Sequence, residues 1–220
     1  MRILSFIFST ILAWGIDSTN ADESVKLFNG NNLDNWNLYV PSEDVNIKDV
    51  FRVEDGHINI SGIPDGYIRT KESYRNYKLH VEWRWPEEPK NSGILIHTQG
   101  EDRIFPHSIE CQLKNGHAGD IVLIGAGAGI TIKGSQYLLE EGGKPFMVIP
   151  KFAESSEHPA GDWNDYDIIS RNGRLEVYIN RVLQNIGTEM TLREGNIAIQ
   201  SEGGPMQLRN IYLIPLDESS

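Results

Sequence analysis

Short runs of alternating apolar and polar residues recur along this chain, and turn-forming residues separate them. In one run Leu79, Val81 and Trp83 alternate with polar residues, and Asn172-Gly173 separates two later runs as a tight hairpin turn does. No long segment repeats its apolar residues at helical spacing. The pattern predicts an all-β chain in which two antiparallel sheets pack as a sandwich.

Residues 135–163 form the least regular segment of the chain. Gly142-Gly143 and the prolines at 145, 150 and 159 interrupt any long element. A loop of this length in a compact domain is usually functional, so we expect a lid or a binding loop.

Residues 1–21 have the layout of a secretory signal peptide. An apolar run from Ile3 to Trp14 is followed by Thr19 and Ala21, small residues at the −3 and −1 positions of a cleavage site. The run is shorter than the ~20 residues that span a bilayer, which disfavours the alternative of a membrane anchor. No cysteine near the site could carry a lipid. We expect a cleaved leader, one domain over residues 22–220, no stable membrane anchor, and a periplasmic or extracellular location.

The composition restricts the partners. The chain carries 31 acidic and 20 basic residues, a formal net charge of −11, which repels phosphate backbones and argues against nucleic acid. Acidic charge with scattered Trp and Tyr fits a neutral carbohydrate. The only cysteine, Cys111, excludes an intrachain disulfide, and its apolar neighbours indicate a buried structural thiol. No oligomeric state is predicted.

Two neighbouring predicted strands carry the main candidate site. In the second strand Ile109 and Cys111 form an apolar face, so Glu110 and Gln112 point together to the other side. In the first strand, strict alternation places His97 opposite to the isoleucines, on the face beside Glu110. These side chains could form the floor of a polar site, and the alternative is a solvated sheet face.

Glu110 is the best candidate for a general base, because enclosure by aromatic side chains would raise the pKa of its carboxyl group. Gln112 offers a donor and an acceptor for a substrate hydroxyl, and His97 is a candidate hydrogen-bonding or acid–base group. Histidines at 97, 107 and 117 lack the spacing of metal ligands, so we expect no metal and no cofactor.

Three further groups are candidates. Trp163 could stack on a sugar ring beside Asn164, or fill the core. Glu202, in a glycine-rich turn, is either a second carboxylate of the site or part of an exposed loop. Glu82 and Arg84 share one side of their strand, as an outer-face ion pair or as part of the pocket.

Five short motifs occur in order along residues 25–215. They are Leu27-Phe28-Asn29-Gly30, Asn91-Ser92-Gly93-Ile94, Ile109-Glu110-Cys111-Gln112, Gly161-Asp162-Trp163-Asn164 and Gln200-Ser201-Glu202-Gly203-Gly204. Read together, they resemble the 3-keto-disaccharide hydrolase family, also described as 3-keto-glucoside-1,2-lyase/3-keto-2-hydroxy-glucal hydratase domains. Many members carry Arg at the position of His97 and His at the position of Glu202.

The resemblance implies a concanavalin/laminarinase-like jelly roll with its site on the concave sheet, and glycosides oxidised to a ketone at C3 as substrates. The residues that it places in the cleft are Asn91, His97, Glu110, Gln112, Trp163, Asn164, Gln200 and Glu202. Glu110 would remove the acidic C2 proton, and donors such as Gln112, Asn164 or protonated His97 would stabilise the oxyanion. The aglycone would leave by elimination, and water can then add back to the unsaturated sugar.

Two alternatives belong to other classes. One is a non-catalytic carbohydrate-binding module on the same fold. The other is a conventional glycoside hydrolase, which is disfavoured because the acidic E-x-D-x-x-E strand motif of laminarinase-type enzymes is absent around Glu110.

Overall fold

The computed structural model describes residues 24–217, so the predicted signal peptide lies outside the described residues. Within that range the regular elements are seventeen strands and one helix of four residues, α1 (Ile47–Val50). No helix among the described residues is long and apolar enough to cross a membrane.

The strands form two large antiparallel sheets. The eight-stranded sheet contains β1 (Val25–Lys26), β3 (Phe51–Glu54), β4 (His57–Ile60), β6 (Tyr77–Arg84), β13 (Asn164–Arg171), β14 (Arg174–Ile179), β15 (Val182–Gly187) and β17 (Met206–Pro215). The seven-stranded sheet contains β2 (Trp36–Tyr39), β5 (Gly66–Thr70), β7 (Gly93–Gln99), β8 (His107–Gln112), β9 (Ile121–Ile124), β12 (Phe146–Ile149) and β16 (Asn196–Ser201). A separate hairpin pairs β10 (Gly129–Ile132) with β11 (Ser135–Leu138).

The order of strands departs from chain order, as in a jelly roll. The eight-stranded sheet runs β15-β14-β13-β6-β17-β4-β3, with β1 also paired to β17, and the seven-stranded sheet runs β12-β9-β8-β7-β16-β5-β2. Strands that are distant in sequence are therefore neighbours, such as β7 and β16 at the centre of the second sheet. The predicted all-β sandwich is confirmed.

The core lies between the two sheets, where the alternating apolar faces meet. Val81 and Trp83 contribute from the eight-stranded sheet, and Ile94, Ile109 and Cys111 contribute from the seven-stranded sheet, all fully buried. Burial raises the pKa of the Cys111 thiol, as expected for a structural cysteine. Since these side chains occupy one face of β7 and β8, the residues between them must point to the other face.

The segment 135–163 is more regular than its sequence indicates. It contains β11 and β12, and β12 extends the seven-stranded sheet by pairing with β9 at the edge. The prediction of one irregular loop is wrong for these strands, because the pairing of β11 with β10 and of β12 with β9 supplies hydrogen bonds that local sequence does not reveal. The side chains of Phe146 and Val148 remain exposed on the face that points away from the core.

Candidate active site

A cavity of about 540 Å³ opens on the outer face of the seven-stranded sheet. Its lining joins polar and apolar side chains, namely Asn91, Phe105, Glu110, Gln112, Lys114, His117, Asp120, Val122, Ile124, Phe146, Val148, Pro150 and Glu202. The size suits a small molecule of the dimensions of a glycoside. Strand alternation therefore directs Glu110 and Gln112 into a cavity rather than onto a flat solvated face.

Strand register arranges the floor of the cavity in rows. In one row Gly93 lies opposite Gln112. In the next row Glu110 lies opposite Val122, and Val122 lies opposite Val148 on the edge strand. Glu110 is thus flanked by a polar row on one side and by apolar residues on the other.

Glu110 is the buried acid of the site. Its residue is 5% exposed, and its Oε1 atom is buried without a hydrogen-bond partner. Burial, and to a smaller extent the neighbouring Glu202 carboxylate, raise the pKa of Glu110 to about 8. The raised pKa predicted from the sequence is confirmed, and this carboxyl group can hold or release a proton close to neutral pH.

Gly93 provides the space that the Glu110 side chain occupies. A Cβ atom added at this position would overlap the Glu110 carboxyl group and the Gln200 amide, with the Glu110 Cδ atom only 2.7 Å away. Gln200 is itself buried, and its Oε1 atom has no partner. A glycine is required here because two polar side chains from β8 and β16 converge over its backbone.

Gly93→Ala is expected to lower the free energy of unfolding by about 1–3 kcal/mol, because the added methyl group overpacks a buried site. The methyl group should also displace the Glu110 carboxyl group. Thermal unfolding and substrate turnover measure the two effects. Gln200→Ala frees part of the overlapped space, so Gly93→Ala should cost less in that background. If Gly93→Ala lowers the free energy of unfolding by the same amount in the wild-type and Gln200→Ala backgrounds, the proposed packing is contradicted.

Three polar residues at one end of the cavity offer hydrogen-bonding groups to a ligand. The Gln112 Oε1 atom accepts hydrogen bonds of 2.9 Å from the backbone amides of Leu113 and Lys114, which leaves its NH₂ group as the donor for a ligand. Burial raises the pKa of Glu202, and the negative charge of Asp65 adds to the rise, while a hydrogen bond with Asn91 opposes it. Asn91, Gln112 and Glu202 therefore gather at the cavity as predicted.

Several lining residues were not identified from the sequence. Lys114 and His117 follow β8, and the His117 Nδ1 atom lies 3.1 Å from an Asp120 carboxylate oxygen. Asp120 also accepts a hydrogen bond from the Lys151 backbone amide at 2.9 Å. Alternation in β9 indicates that Val122 shares a face with residue 124, but it does not indicate which surface that face meets.

His97 does not reach the cavity. The pairing of β7 with β8 shifts between Ile96 and Gln99, and His97 adopts a positive φ of 54°. Its Nε2 atom lies 2.8 Å from Ser170 Oγ in the opposite sheet, and burial lowers the pKa of His97 to about 4. The prediction that His97 shares the face of Glu110 is wrong, because a bulge inserts a residue and reverses the alternation. A neutral core histidine does not supply the predicted oxyanion donor.

Trp163 also lies outside the cavity, on the outer face of the eight-stranded sheet. The guanidinium groups of Arg84 and Arg209 cover its ring at 4.6 and 4.0 Å from the centroid. Glu82 lies on the same face and binds Arg209 at 2.5 Å. The prediction of a sugar-stacking Trp163 in the cleft is wrong, and Glu82 and Arg84 belong to the outer-face alternative, although Arg84 donates to Gln207 rather than to Glu82.

Asn164 has a structural position. Its Oδ1 atom accepts hydrogen bonds from the His158 backbone amide at 2.7 Å and from the Asn180 side chain at 2.8 Å. The residue is buried at the start of β13, where it holds the preceding loop against the β14–β15 turn. The prediction that Asn164 binds substrate hydroxyls in the cleft is wrong, because its acceptor is already used within the protein.

A group of potential metal ligands lies away from the cavity. His80, Glu82 and Asp165, on the outer face of the eight-stranded sheet, place ligand atoms within 4.8 Å of one another. Glu82 already binds Arg209, and the His80 Nδ1 atom lies 2.8 Å from Asp167. Contacts within the protein therefore occupy the side chains of Glu82 and His80, and we assign no metal to the group.

Comparison with known proteins identifies a family. A family model described as a 3-keto-alpha-glucoside-1,2-lyase-like domain matches residues 23–214. No curated protein sequence is similar to the chain at a significant level.

Solved structures share the fold at low sequence identity. A proposed glycosyl hydrolase from Parabacteroides distasonis superposes with a TM-score of 0.63 and 21% identity, covering 90% of this chain and 95% of that chain. A second proposed glycosyl hydrolase from the same organism gives 0.62 and 20%, covering 88% and 99%. The β-glucanase of Bacillus licheniformis gives 0.55 and 10%, covering 86% and 96%. These similarities establish a concanavalin-like jelly roll.

Proposed function

The chain belongs to the 3-keto-alpha-glucoside-1,2-lyase-like family, and on that premise we propose that it cleaves 3-keto glucosides by removing a proton from C2 and eliminating the aglycone. Family membership supports a carbohydrate-active enzyme. The observation that carries the finer proposal is Glu110, a buried carboxyl group without a partner at its Oε1 atom, with a pKa near 8, beside a cavity of glycoside size.

Glu110 acts as the base in this mechanism. A ketone at C3 acidifies the hydrogen on C2, because the carbanion is delocalised onto the C3 oxygen as an enolate. The Glu110 carboxylate takes this proton. When the C3 carbonyl reforms, a C1=C2 double bond forms and the C1–O bond to the aglycone breaks. Addition of water to the resulting unsaturated sugar would make the overall reaction a hydrolysis.

The polar end of the cavity supports the removal of the C2 proton. The Gln112 NH₂ group and the Lys114 ammonium group are the donors that can stabilise the enolate oxygen, and a preorganised donor of this kind is worth about 2.7–4 kcal/mol. Glu202 is a second carboxylate beside Glu110, and its negative charge helps to raise the pKa of the base, while the departing oxygen takes its proton from solvent. Gln112 thus keeps its predicted role as a donor, and Lys114 takes the place of the predicted donors Asn164 and His97.

A matched pair of disaccharides, one native and one oxidised at C3, tests the proposal. Purified protein should consume the 3-keto sugar, release the aglycone and yield the unsaturated sugar or its hydrate, as detected by mass spectrometry. The native sugar should persist. Cleavage of the native disaccharide alone would indicate a conventional glycoside hydrolase, and cleavage of neither would favour a binding module.

The pH dependence of kcat/KM should report the ionisation of Glu110. Because the base must be ionised, kcat/KM should rise about tenfold per pH unit up to about pH 8 and level off above it. Glu202→Gln removes a nearby negative charge, so the inflection should move to lower pH whatever the variant does to the maximal rate. An inflection that stays in place would indicate that another group titrates.

We also propose that residues 1–21 direct export to a periplasmic or extracellular space. Mass spectrometry of the protein from the native host should find a mature chain that starts within a few residues of Asp22. Recovery of the uncleaved chain from the cytosol would contradict this.

A further inference from the structure

One side of the cavity, beyond Glu110 toward the sheet edge, is lined by apolar side chains. This apolar patch consists of Phe105, Val122, Ile124, Phe146 and Val148. Phe105, Phe146 and Val148 are 47%, 52% and 47% exposed. Single exposed apolar residues are ordinary on protein surfaces, but a group around one cavity indicates a binding surface.

The sheet register places the apolar patch directly beside the candidate base. Val122 lies opposite Glu110, and Val148 lies opposite Val122. Gln112 lies on the same strand as Glu110, two residues further on and toward the polar end. A ligand whose reacting carbon lies at Glu110 therefore has polar contacts on one side and apolar contacts on the other.

This partition matches the two parts of the substrate of the proposed function. The oxidised sugar ring carries hydroxyl groups that need donors and acceptors, and the polar end of the cavity supplies them. A second sugar as the leaving group would carry hydroxyl groups against side chains that cannot bond them, and buried unpaired hydroxyl groups weaken binding. An alkyl chain or an aromatic ring would instead cover the exposed surface of Phe146 and Val148.

We propose that the apolar patch is the aglycone subsite, and that 3-keto glucosides of apolar alcohols or phenols are better substrates than 3-keto disaccharides. The assignment rests on the proposed function, because it presupposes elimination at the carbon beside Glu110. It deepens that function by naming the chemical class of the leaving group.

Three 3-keto glucosides of one anomeric configuration test the assignment, with methyl, hexyl and glucosyl leaving groups. Methoxide and hexoxide are similar leaving groups, so the ratio of their kcat/KM values reports binding of the longer chain. The hexyl substrate should exceed the methyl substrate by about tenfold or more, as expected for several methylene groups in an apolar pocket. The glucosyl substrate should be slower than the hexyl substrate.

The double variant Phe146→Ser/Val148→Thr tests whether the hexyl-to-methyl ratio of kcat/KM depends on the apolar patch. Both side chains are about half exposed on an edge strand, so the fold should tolerate polar replacements, which thermal unfolding checks. The hexyl-to-methyl ratio should fall about tenfold. Val182→Thr is the matched control, since Val182 is 43% exposed on β15, the edge strand of the opposite sheet, and the ratio should not change.

The possible failures are distinguishable. A glucosyl substrate that is faster than the hexyl substrate, or a ratio that the double variant leaves unchanged, would overturn the aglycone assignment and leave the proposed function intact. Turnover of none of the three substrates would overturn the proposed function, and the aglycone assignment with it.

Discussion

Glu110→Gln is expected to lower kcat/KM for a 3-keto glucoside by about 10²–10⁴-fold, the contribution typical of a general base. The amide has nearly the shape of the carboxyl group but cannot accept the C2 proton. Since Glu110 is buried and holds its proton below about pH 8, the neutral amide also resembles the resting state. Substrate binding, measured by calorimetry at low turnover, should change little.

Glu176→Gln is the matched control for this activity loss. Glu176 is a strand glutamate of the eight-stranded sheet, where it binds Arg174 and Tyr178 far from the cavity. Its replacement should leave kcat/KM within about twofold of wild type. A Glu110→Gln variant that keeps most of the activity would assign the base to another residue. A wild-type protein that binds but never turns over 3-keto glucosides, with only its affinity altered by Glu110→Gln, would instead be a binding module.

Relative to wild type, Glu110→Gln is also expected to stabilise the protein increasingly as the pH rises from 5 to about 8. The pKa of Glu110 is about 8 in the folded protein, above its ordinary value of 4.5, because burial and then Glu202 disfavour the charge. Between these two values the unfolded chain releases a proton that the folded chain keeps, so rising pH favours unfolding. The folded wild type therefore loses stability from about pH 4.5 to about pH 8, and the loss is constant above.

The size of this effect makes it measurable. Each pH unit between the two pKa values contributes about 1.4 kcal/mol, so between pH 5 and pH 8 the wild type loses up to about 4 kcal/mol that the amide variant does not lose. For a domain of this size, that difference corresponds to roughly 10 °C in Tm. Thermal unfolding of both proteins across the pH range measures it, and parallel curves would contradict a protonated Glu110.

The same control variant distinguishes this titration from a general effect of removing a carboxylate. Burial by itself would raise the pKa of Glu176, but hydrogen bonds from Tyr178 and Arg174 bring the pKa below its ordinary value. Its carboxylate is therefore ionised in both folded and unfolded chains at pH 5 and above. The difference in Tm between Glu176→Gln and wild type should stay constant between pH 5 and pH 9.

The sequence by itself determined the fold class and the centre of the site. Alternation in β8 assigns Ile109 and Cys111 to the core, and the polar residues between them must then face the other side. Such alternation depends only on local backbone geometry, so it remains valid wherever a strand is regular. It also predicted the raised pKa of Glu110, because that shift depends mainly on burial.

Only the tertiary structure decided which of the other polar residues belong to the site. A bulge in β7 turns His97 into the core, and register across β13, β6 and β17 places Trp163 under two arginines on the outer face of the eight-stranded sheet. Pairing of β12 with β9 brings Phe146 and Val148 to the cavity from a segment that looked irregular. Bulges and long-range pairings depend on contacts between distant strands, which the local pattern of residues does not encode.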